Sequence, residues 1–183
     1  MCNLNDIDII NEVQKALVDY KVRRLTIDGL QELYDFCKEN TRYYKYMRME
    51  PTMENLSEVF TTLPPNKDIE DRFFMGIYDG ERLVAILDIV KGYPEEYIAY
   101  IGWFMVNKDM QGKGIGREII DRVIEVLRNV AFHAVMLGCI KDNVEAYRFW
   151  TNNGFEKTGN EMDTGDYIIL EMKKELWFVI KAL

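Results

Sequence analysis

Three glycines at alternate positions, Gly112, Gly114 and Gly116, mark the stretch of this sequence that is best suited to chemistry. An apolar run, residues 97–106, ends shortly before them, and the pattern of a helix begins with them. A strand, a tight glycine turn and a helix N-terminus direct several backbone N–H groups at one point, where the helix dipole adds partial positive charge. Because glycine has no Cβ, an anion can approach this backbone closely. The stretch therefore predicts a phosphate-binding site.

Two common phosphate-binding loops do not fit this spacing. A Walker loop requires Ser or Thr directly after Gly-Lys to hold magnesium, whereas Gly112-Lys113 is followed by Gly114. A dinucleotide fold requires G-x-G-x-x-G, but the spacing here is G-x-G-x-G, and Arg117 stands where the last glycine should be. That fold also opens a parallel unit with this element, whereas a hairpin precedes it here. The third option is the pyrophosphate of coenzyme A.

Length and composition are those of one globular domain. The chain has 183 residues, 48% of them hydrophobic, and no internal linker divides it, so we expect a single domain over residues 1–183. The apolar run before the glycines is much shorter than the ~20 residues that a membrane span needs, and the acidic N-terminus is not typical of a secretion signal. Cys2, Cys37 and Cys139 are scattered, which favours free thiols in a reducing cytoplasm and predicts no metal site.

The net charge of −8 bears on the partner. It disfavours nucleic acid, because binding to nucleic-acid phosphates requires clustered Lys and Arg side chains. An acidic surface would mildly favour a cationic substrate such as an amine, but solubility explains the charge equally well.

The elements that must position the glycine turn follow from periodicity and turn signals along the chain. Ahead of the turn the sequence predicts a helix, a strand and two more helices, at residues 5–17, 20–25 and 30–37 and from residue 53 onward. An aromatic segment with Tyr43, Tyr44 and Tyr46 separates the last two helices. Residues 72–78 and 82–90 are then predicted to form a hairpin, because Asp-Gly between apolar strands is a strong hairpin signal.

After the glycine turn the sequence predicts a helix, a strand, a second helix and two closing strands, at residues 113–130, 133–140, 142–153, 155–158 and 167–172. A capping box of Asp142 and Glu145 predicts the start of the second helix, and Asn153-Gly154 predicts its end. The order gives an α+β or mixed α/β fold, in which a mostly antiparallel sheet leads into a β-α-β crossover with flanking helices. The apolar tail, residues 176–180, requires burial.

Two segments within these elements carry a family resemblance. Val106-x4-Gln111-Gly-Lys-Gly-Ile-Gly116 resembles the acyl-CoA signature (Q/R-x-x-G-x-G/A) of the GNAT N-acetyltransferase superfamily. Asn143-x2-Ala146-x3-Trp150-x3-Gly154-Phe155 resembles the next motif of the family, at the expected distance downstream. The predicted element order also matches the GNAT fold. The resemblance therefore implies an N-acetyltransferase that uses acetyl-CoA.

The resemblance also implies which residues bind acetyl-CoA. Backbone N–H groups from Gln111 to Gly116 would hold the pyrophosphate. The main chain of Phe104 and Val106, on a strand that splays from its neighbour in this family, would pair with the pantetheine and polarise the thioester carbonyl. Asn143 would touch the pantetheine arm, although a helix cap is an equal alternative. The predicted cofactor residues in full are Phe104, Met105, Val106, Gln111, Gly112, Lys113, Gly114, Ile115, Gly116, Asn143, Tyr147 and Trp150.

Acetyl transfer to an amine needs a group that takes a proton from the amine and a group that protonates the leaving thiolate. Many family members have a Tyr seven residues after the Asn, but Trp150 stands there, so Tyr147 is the predicted acid, with water as the alternative. Tyr100 and Gly102 occupy the places where a Glu often stands on the strand before the loop. Asp88 lies inside an apolar strand, where a carboxylate is costly unless paired or functional, and is the predicted base or amine-binding group. Glu95 and Glu96 are the other carboxylates nearby, with Glu96 as an alternative, and His133 opens a strand away from the loop, where a structural role is expected.

The sequence thus predicts direct transfer of the acetyl group to a primary amine, on a small molecule or a peptide, in a ternary complex. A non-catalytic CoA-binding or regulatory module of the same fold, or a nucleotide-binding protein of another kind, are the alternatives. The tyrosine segment borders the acceptor site in this family, where it could attract an ammonium or simply pack. A homodimer, which is frequent in this family, would suit the apolar tail and edge strands. We expect a cytoplasmic protein whose partners include neither nucleic acid nor a membrane.

Overall fold

The computed structural model describes residues 8–176, which form one seven-stranded sheet with helices on both faces. The strands are β1 (Lys21–Arg24), β2 (Arg72–Asp79), β3 (Arg82–Lys91), β4 (Ile98–Val106), β5 (Ala134–Ile140), β6 (Glu156–Asp163) and β7 (Ile168–Glu175). The helices are α1 (Ile9–Ala16), α2 (Leu30–Glu39), α3 (Thr41–Met47), α4 (Met53–Glu58), α5 (Ile115–Asn129) and α6 (Val144–Asn152). Short 3-10 turns lie at Ile27–Gly29, Ile69–Asp71 and Lys108–Met110.

The strand order is β1-β2-β3-β4-β5-β7-β6. Every neighbouring pair is antiparallel except β4 and β5, which are parallel and are connected through α5. A parallel pair needs such a crossover connection, whereas antiparallel strands can be joined by a tight turn. The predicted fold class, a mostly antiparallel sheet with one β-α-β crossover, is confirmed.

Each face of the sheet has its own apolar core because successive side chains of a strand point to opposite faces. One core joins the sheet to α1, α5 and α6, with buried Val13, Ile120 and Trp150 among its members. The other joins the sheet to α2, α3 and α4 through Leu33 and Leu56. The adjacent residues of β2 divide between the two cores, as the alternation requires: Phe73 lies in the first and Phe74 in the second.

The hairpin of β2 and β3 forms as predicted, with Asp79 opposite Arg82 and Gly80 at a positive φ of 60°. The α4 helix begins after Thr52, which exchanges hydrogen bonds with Asn55 in a capping box. Both features have strong local signals, because the residues that form them are close in sequence.

Other boundaries differ from the predictions. The aromatic segment is itself a helix, α3, in which Tyr44 is buried and after which Arg48 adopts a left-handed conformation. Residue 142 does not cap α6; Asn143 does, since its side chain accepts from the Ala146 N–H. The first closing strand, β6, extends beyond the predicted residue 158 to Asp163. Of the apolar tail, the predicted residues 177–180 lie outside the described part of the chain.

Candidate active site

The glycine turn lies between the end of β4 and the start of α5, as predicted. Gly112 and Gly114 have φ of 73° and 87°, which favours glycine, and a Cβ at either position would meet no described heavy atom within 4 Å. Gly114 caps α5, and the Glu118 N–H is the first to donate back, to the Gly114 carbonyl. The N–H groups of residues 112–117 therefore have no backbone acceptor within residues 8–176. Open space before these N–H groups suits a phosphate.

Gln111 and Gly116 fix the turn against the rest of the fold. The Gln111 N–H donates within the turn to the Lys108 carbonyl at 3.4 Å. The Gln111 side-chain Nε2 donates to the Val106 carbonyl at 2.9 Å and to Asn40 Oδ1 at 3.0 Å. A Cβ on Gly116 would lie 3.2 Å from Val106 Cγ2, so the glycine allows α5 to approach β4. Gln111 thus contributes a side chain that connects the turn to β4 and to Asn40, between α2 and α3, while its own N–H is already used.

β4 separates from β5 partway along its length. Ile101 and Leu137 are the last of the four β4–β5 pairs, whereas β4 continues to pair with β3 as far as Val106. A β-bulge lies where the two strands part, because Ile101 pairs with Ile89 and Trp103 with Asp88, and Gly102 is left between them. Bulges bend a strand and interrupt its ladder, which accounts for a gap at this point.

The main chain of Phe104 and Val106 faces this gap. The Asn107 N–H donates to the Val84 carbonyl at 2.8 Å, and in an antiparallel pair the residues bonded to the partner alternate. Met105 therefore directs its main chain to β3, and its two neighbours direct theirs away from β3. The Val106 carbonyl already accepts from Gln111, so the Phe104 main chain is the less engaged of the two.

The α6 helix approaches the gap through its aromatic residues. The side chain of Asn143 caps the helix, because its Oδ1 accepts a 3.0 Å hydrogen bond from the Ala146 N–H. A helix cap is one of the two roles that the sequence predicts for this residue. Trp150 is 7% exposed and packs against three aromatic rings, those of Phe104, Phe149 and Phe155. These contacts favour a packing role for Trp150. Tyr147 is half-buried one turn earlier, with the Lys157 Nζ 5.6 Å from its ring centroid.

Asp88 is buried on β3 and forms an ion pair with Arg72 on β2. Its two oxygens accept hydrogen bonds from Arg72 Nε at 2.8 Å and Nη2 at 2.9 Å. Arg72 Nη1 also donates to the carbonyls of Val59 and Thr62, just after α4. A Cβ on Gly102 would lie only 2.9 Å from Asp88 Oδ2. A carboxylate from the neighbouring strand thus fills the space beside Gly102, where the resemblance leads one to look for a Glu.

A pocket of about 260 Å³ opens at this ion pair, on the side of the sheet covered by α3 and α4. Arg72, Asp88 and Gly102 are among the residues that line it. Its walls are mainly apolar and include Tyr43, Tyr44, Met47, Leu56, Val59 and Trp103. Gly102 therefore borders both the pocket and the place where β4 leaves β5.

Two of the three tyrosines of the aromatic segment line this pocket. The Tyr43 ring stacks on Trp103 with centroids 6.0 Å apart and meets Tyr44 edge-on at 5.4 Å. Burial raises the pKa of both tyrosines, so both hydroxyls stay neutral. Burial is the main cause for Tyr44, and the neighbouring Cys37 thiol raises the pKa of Tyr44 further. Tyr46 does not line the pocket.

Other ionisable candidates lie elsewhere. His133 precedes β5 and stacks on Tyr97 at 4.8 Å, at the opposite end of the β4–β5 pair from the glycine turn. Glu95 and Glu96 are exposed near that same end.

Within residues 8–176 no group of three or more His, Cys, Asp or Glu side chains could hold a metal ion. That part of the chain also contains no helix long and apolar enough to cross a membrane.

Three residues of the site were not singled out from the sequence. Arg72 is the partner of Asp88, Trp103 forms a pocket wall, and Asn40 receives the Gln111 side chain. Arg72 had a usable signal, because a carboxylate inside an apolar strand requires a cation on a neighbouring strand. Trp103 and Asn40 had no comparable local signal.

Comparisons with known proteins agree with this geometry. The model of the acetyltransferase (GNAT) family matches residues 29–155, more than half of the chain and both motifs. No curated protein matches the chain at a significant level. Several hundred chains of solved structures do match.

Three of these solved structures illustrate the likeness. The chain superposes on an acetyltransferase from Thermus thermophilus with a TM-score of 0.70 and 22% identity, covering 86% of this chain and 97% of that one. The PaiA N-acetyltransferase from Thermoplasma acidophilum in complex with coenzyme A superposes with a TM-score of 0.60 and 18% identity, covering 85% of this chain and 98% of that one. Spermidine N-acetyltransferase from Vibrio cholerae in complex with CoA and spermine superposes with a TM-score of 0.65 and 16% identity, covering 87% of this chain and 96% of that one. At such identities the superpositions establish the fold.

Three findings agree with one another: the glycine turn at the start of α5, the gap between β4 and β5, and the match of the family model. The chain belongs to the acetyltransferase (GNAT) family and is an N-acetyltransferase with acetyl-CoA as its co-substrate.

Proposed function

We propose that this protein transfers the acetyl group of acetyl-CoA directly to a primary amine that is bound in the pocket beside Gly102, in a ternary complex. The observation that carries this proposal is the position of Gly102, which borders both the pocket and the gap between β4 and β5. A thioester held along the gap would meet an amine in the pocket across a single residue. Holding two reactants together in this way supplies a large part of the rate.

The donor in this proposal lies between the glycine turn and the gap. The free N–H groups of residues 112–116 bind the pyrophosphate. The Phe104 main chain pairs with the pantetheine arm, and the amide nitrogen of Asn143, which the helix cap does not use, contacts the same arm. Lys113 adds positive charge beside the turn.

Asp88 binds the amine and receives its proton. It is the one carboxylate among the described residues that line the pocket. A carboxylate has about four lone-pair sites, and Arg72 occupies two, so two remain for the hydrogen atoms of an amine. Arg72 also fixes the position of the carboxylate, since it is itself held by main-chain carbonyls after α4.

Tyr147 protonates the leaving thiolate. The α6 helix that carries it packs against β4, with the Phe149 and Phe104 rings stacked at 5.8 Å. Trp150, at the position where many family members have a tyrosine, is packed in the core and has no acidic proton to give. Water is the alternative donor.

The test is release of the CoA thiol from acetyl-CoA in the presence of a panel of primary amines. We expect release that depends on the amine, and a kcat/KM that falls by roughly 10²-fold in Asp88→Asn, as for loss of a general base. The affinity for acetyl-CoA, measured by isothermal titration on the same variant, should be unchanged, which also shows that the variant is folded. Binding of acetyl-CoA without amine-dependent release would contradict transfer, and full activity of Asp88→Asn would contradict the role of Asp88.

A further inference from the structure

The charge balance of the pocket beside Gly102 points to the class of acceptor. We propose that the acceptor is a small primary monoamine with an apolar body, an alkylamine or arylalkylamine, and not a polyamine or an aminoglycoside. This inference rests on the proposed function, in which the pocket is the acceptor site.

The pocket offers no carboxylate to a second ammonium group. Asp88 is the one acidic residue among its described lining residues, and Arg72 balances its charge through two hydrogen bonds. The first amine of the acceptor would use the remaining lone pairs of Asp88. A second ammonium held against the walls would lose water without gaining an anionic partner, which is unfavourable.

The polar atoms of the walls point to the same conclusion. The one buried side-chain nitrogen or oxygen of the walls that lacks a partner among the described residues is the indole Nε1 of Trp103. This group is a donor and cannot accept from an ammonium. The other polar side chains of the walls, those of Tyr43, Tyr44, Asn55 and Thr62, are neutral and offer an ammonium weaker hydrogen bonds than a carboxylate would.

The walls favour an apolar body. Met47, Leu56 and Val59 line the pocket together with the stacked rings of Tyr43 and Trp103. Burial of each methylene group against such walls is worth about a fourfold gain in affinity. The volume of about 260 Å³ lies below the ~300–1,000 Å³ of pockets for drug-sized ligands, so the body is small.

The acidic surface does not alter this conclusion. A net charge of −8 attracts cations of every kind to the protein and affects association rates. It does not distinguish a monoamine from a diamine once the ligand is inside the pocket, where the nearest charges decide.

Hexylamine and hexamethylenediamine provide the test, because they share one carbon chain and differ in the second ammonium group. Each is titrated calorimetrically into the protein saturated with CoA, and each is assayed for thiol release with acetyl-CoA. We expect hexylamine to bind at least about tenfold more tightly and to have the larger kcat/KM by a similar factor. Butylamine, with two fewer methylenes, should bind roughly tenfold more weakly than hexylamine.

Two variants each add one carboxylate, the first inside the pocket and the second outside it. Met47→Glu adds an unpaired carboxylate to the wall and should reduce the preference for hexylamine over the diamine by about tenfold or more. Met53→Glu is the matched control, because Met53 is 40% exposed at the start of α4 and does not line the pocket. It should leave the preference unchanged.

Each other outcome has a defined meaning. Equal or tighter binding of hexamethylenediamine, tighter binding of a short peptide through its free N-terminus, or no binding of hexylamine at millimolar concentration would overturn the inference. Binding of the amines in the expected order without any thiol release would contradict the proposed function and leave the selectivity of the pocket standing.

Discussion

Gly102 shows how a residue without a side chain can define a site, because it leaves room for the carboxylate of Asp88. The resemblance directs attention to the strand before the glycine turn, where no Glu is present. The carboxylate of Asp88 instead reaches the same space from β3, because a Cβ at residue 102 would lie 2.9 Å from its Oδ2. Arg72 neutralises this carboxylate, which a buried position requires. The proposed chemistry at this point therefore depends on three residues from three strands.

Gly114→Val tests the phosphate site. A valine at a φ of 87° costs about 1–3 kcal/mol of strain and fills the open space before the N–H groups. We expect the affinity for acetyl-CoA, measured by isothermal titration, to fall at least about tenfold, equal to ~1.4 kcal/mol. Gly80→Val is the control, because Gly80 also has a positive φ and no neighbour within 4 Å but lies in the β2–β3 turn. Equal affinities of the two variants would refute the assignment of the turn.

Tyr147→Phe separates chemistry from binding. If Tyr147 protonates the thiolate, kcat should fall roughly 10²-fold while the dissociation constant of acetyl-CoA is unchanged. Tyr46→Phe is the control, since Tyr46 is half-buried on α3 and does not line the pocket. An unaltered kcat in Tyr147→Phe would assign the proton to water.

The two described cysteines should be unreactive in the folded protein. Burial raises the pKa of Cys37 to about 12 and that of Cys139 to about 11. The thiolate is the reactive form, and only about one in 10⁴ of the Cys37 thiols and one in 10³ of the Cys139 thiols would be thiolate at pH 8, a fraction that rises with pH. In Cys2→Ser, which removes the remaining cysteine, we expect Ellman's reagent to label neither thiol until urea is added. Rapid labelling of the folded variant would show that these sites open readily.

At the scale of elements, β4 connects the donor and acceptor sides of the site. It pairs with β3 as far as Val106 but with β5 only as far as Ile101, and its bulge at Gly102 lies between these two regions. The helices on the two sides are also connected, because Arg42 on α3 lies 2.6 Å from Glu145 on α6. That pair is exposed and contributes little to stability. The geometry of β4 is therefore the main determinant of how the two sides meet.

Gly102→Ala tests this role of β4. The added methyl group would displace the Asp88 carboxylate, so kcat/KM should fall at least about tenfold while acetyl-CoA still binds, since the glycine turn is untouched. Gly29→Ala is the matched control, because its Cβ would make only an ordinary 3.9 Å contact with Leu25 and its φ is negative. Full activity of Gly102→Ala would mean that the position of Asp88 is not critical.

At the scale of the whole molecule, one sheet carries two apolar cores. Trp103 packs in the core beneath α2, α3 and α4, and Trp150 packs in the core beneath α1, α5 and α6. The two cores share the strands β2, β3 and β4, so we propose that they unfold together as a single domain. The proposed acceptor pocket belongs to the core beneath α2, α3 and α4. The aromatic residues beside the gap belong to the core beneath α1, α5 and α6.

Tryptophan fluorescence tests this cooperativity. Trp177 lies outside the described residues and is replaced by Phe in both proteins. Trp150→Phe then leaves Trp103 as the reporter, and Trp103→Phe leaves Trp150. We expect coincident urea transitions for each single-tryptophan protein between its own fluorescence and far-ultraviolet circular dichroism, as two-state unfolding requires. Saturation with acetyl-CoA at about 100 times its dissociation constant should stabilise both by ~2.7 kcal/mol. Two separate transitions would show that the faces unfold independently.

Local sequence signals predicted the glycine turn, the family and the order of the elements apart from α3, because each rests on residues close together in the chain. Asp79-Gly80 predicts its hairpin, and Gly112 and Gly114 predict a backbone that only glycine adopts readily. Asn153-Gly154 predicts the end of α6 in the same way. These features require only the local conformational preferences of the chain.

The tertiary structure alone decided which side chains meet. Asp88 meets Arg72 and Gly102 because the β2–β3 register shifts after Ile77 and the β3–β4 register shifts at Gly102. A glycine inside a strand indicates a bulge, but it does not predict which residues pair on either side of it. A shift of one residue moves every later side chain to the other face, so the pairing could not be read from alternation. The proposed donor site depends on the local backbone geometry of the glycine turn, whereas the proposed acceptor pocket exists only where distant strands and α3 come together.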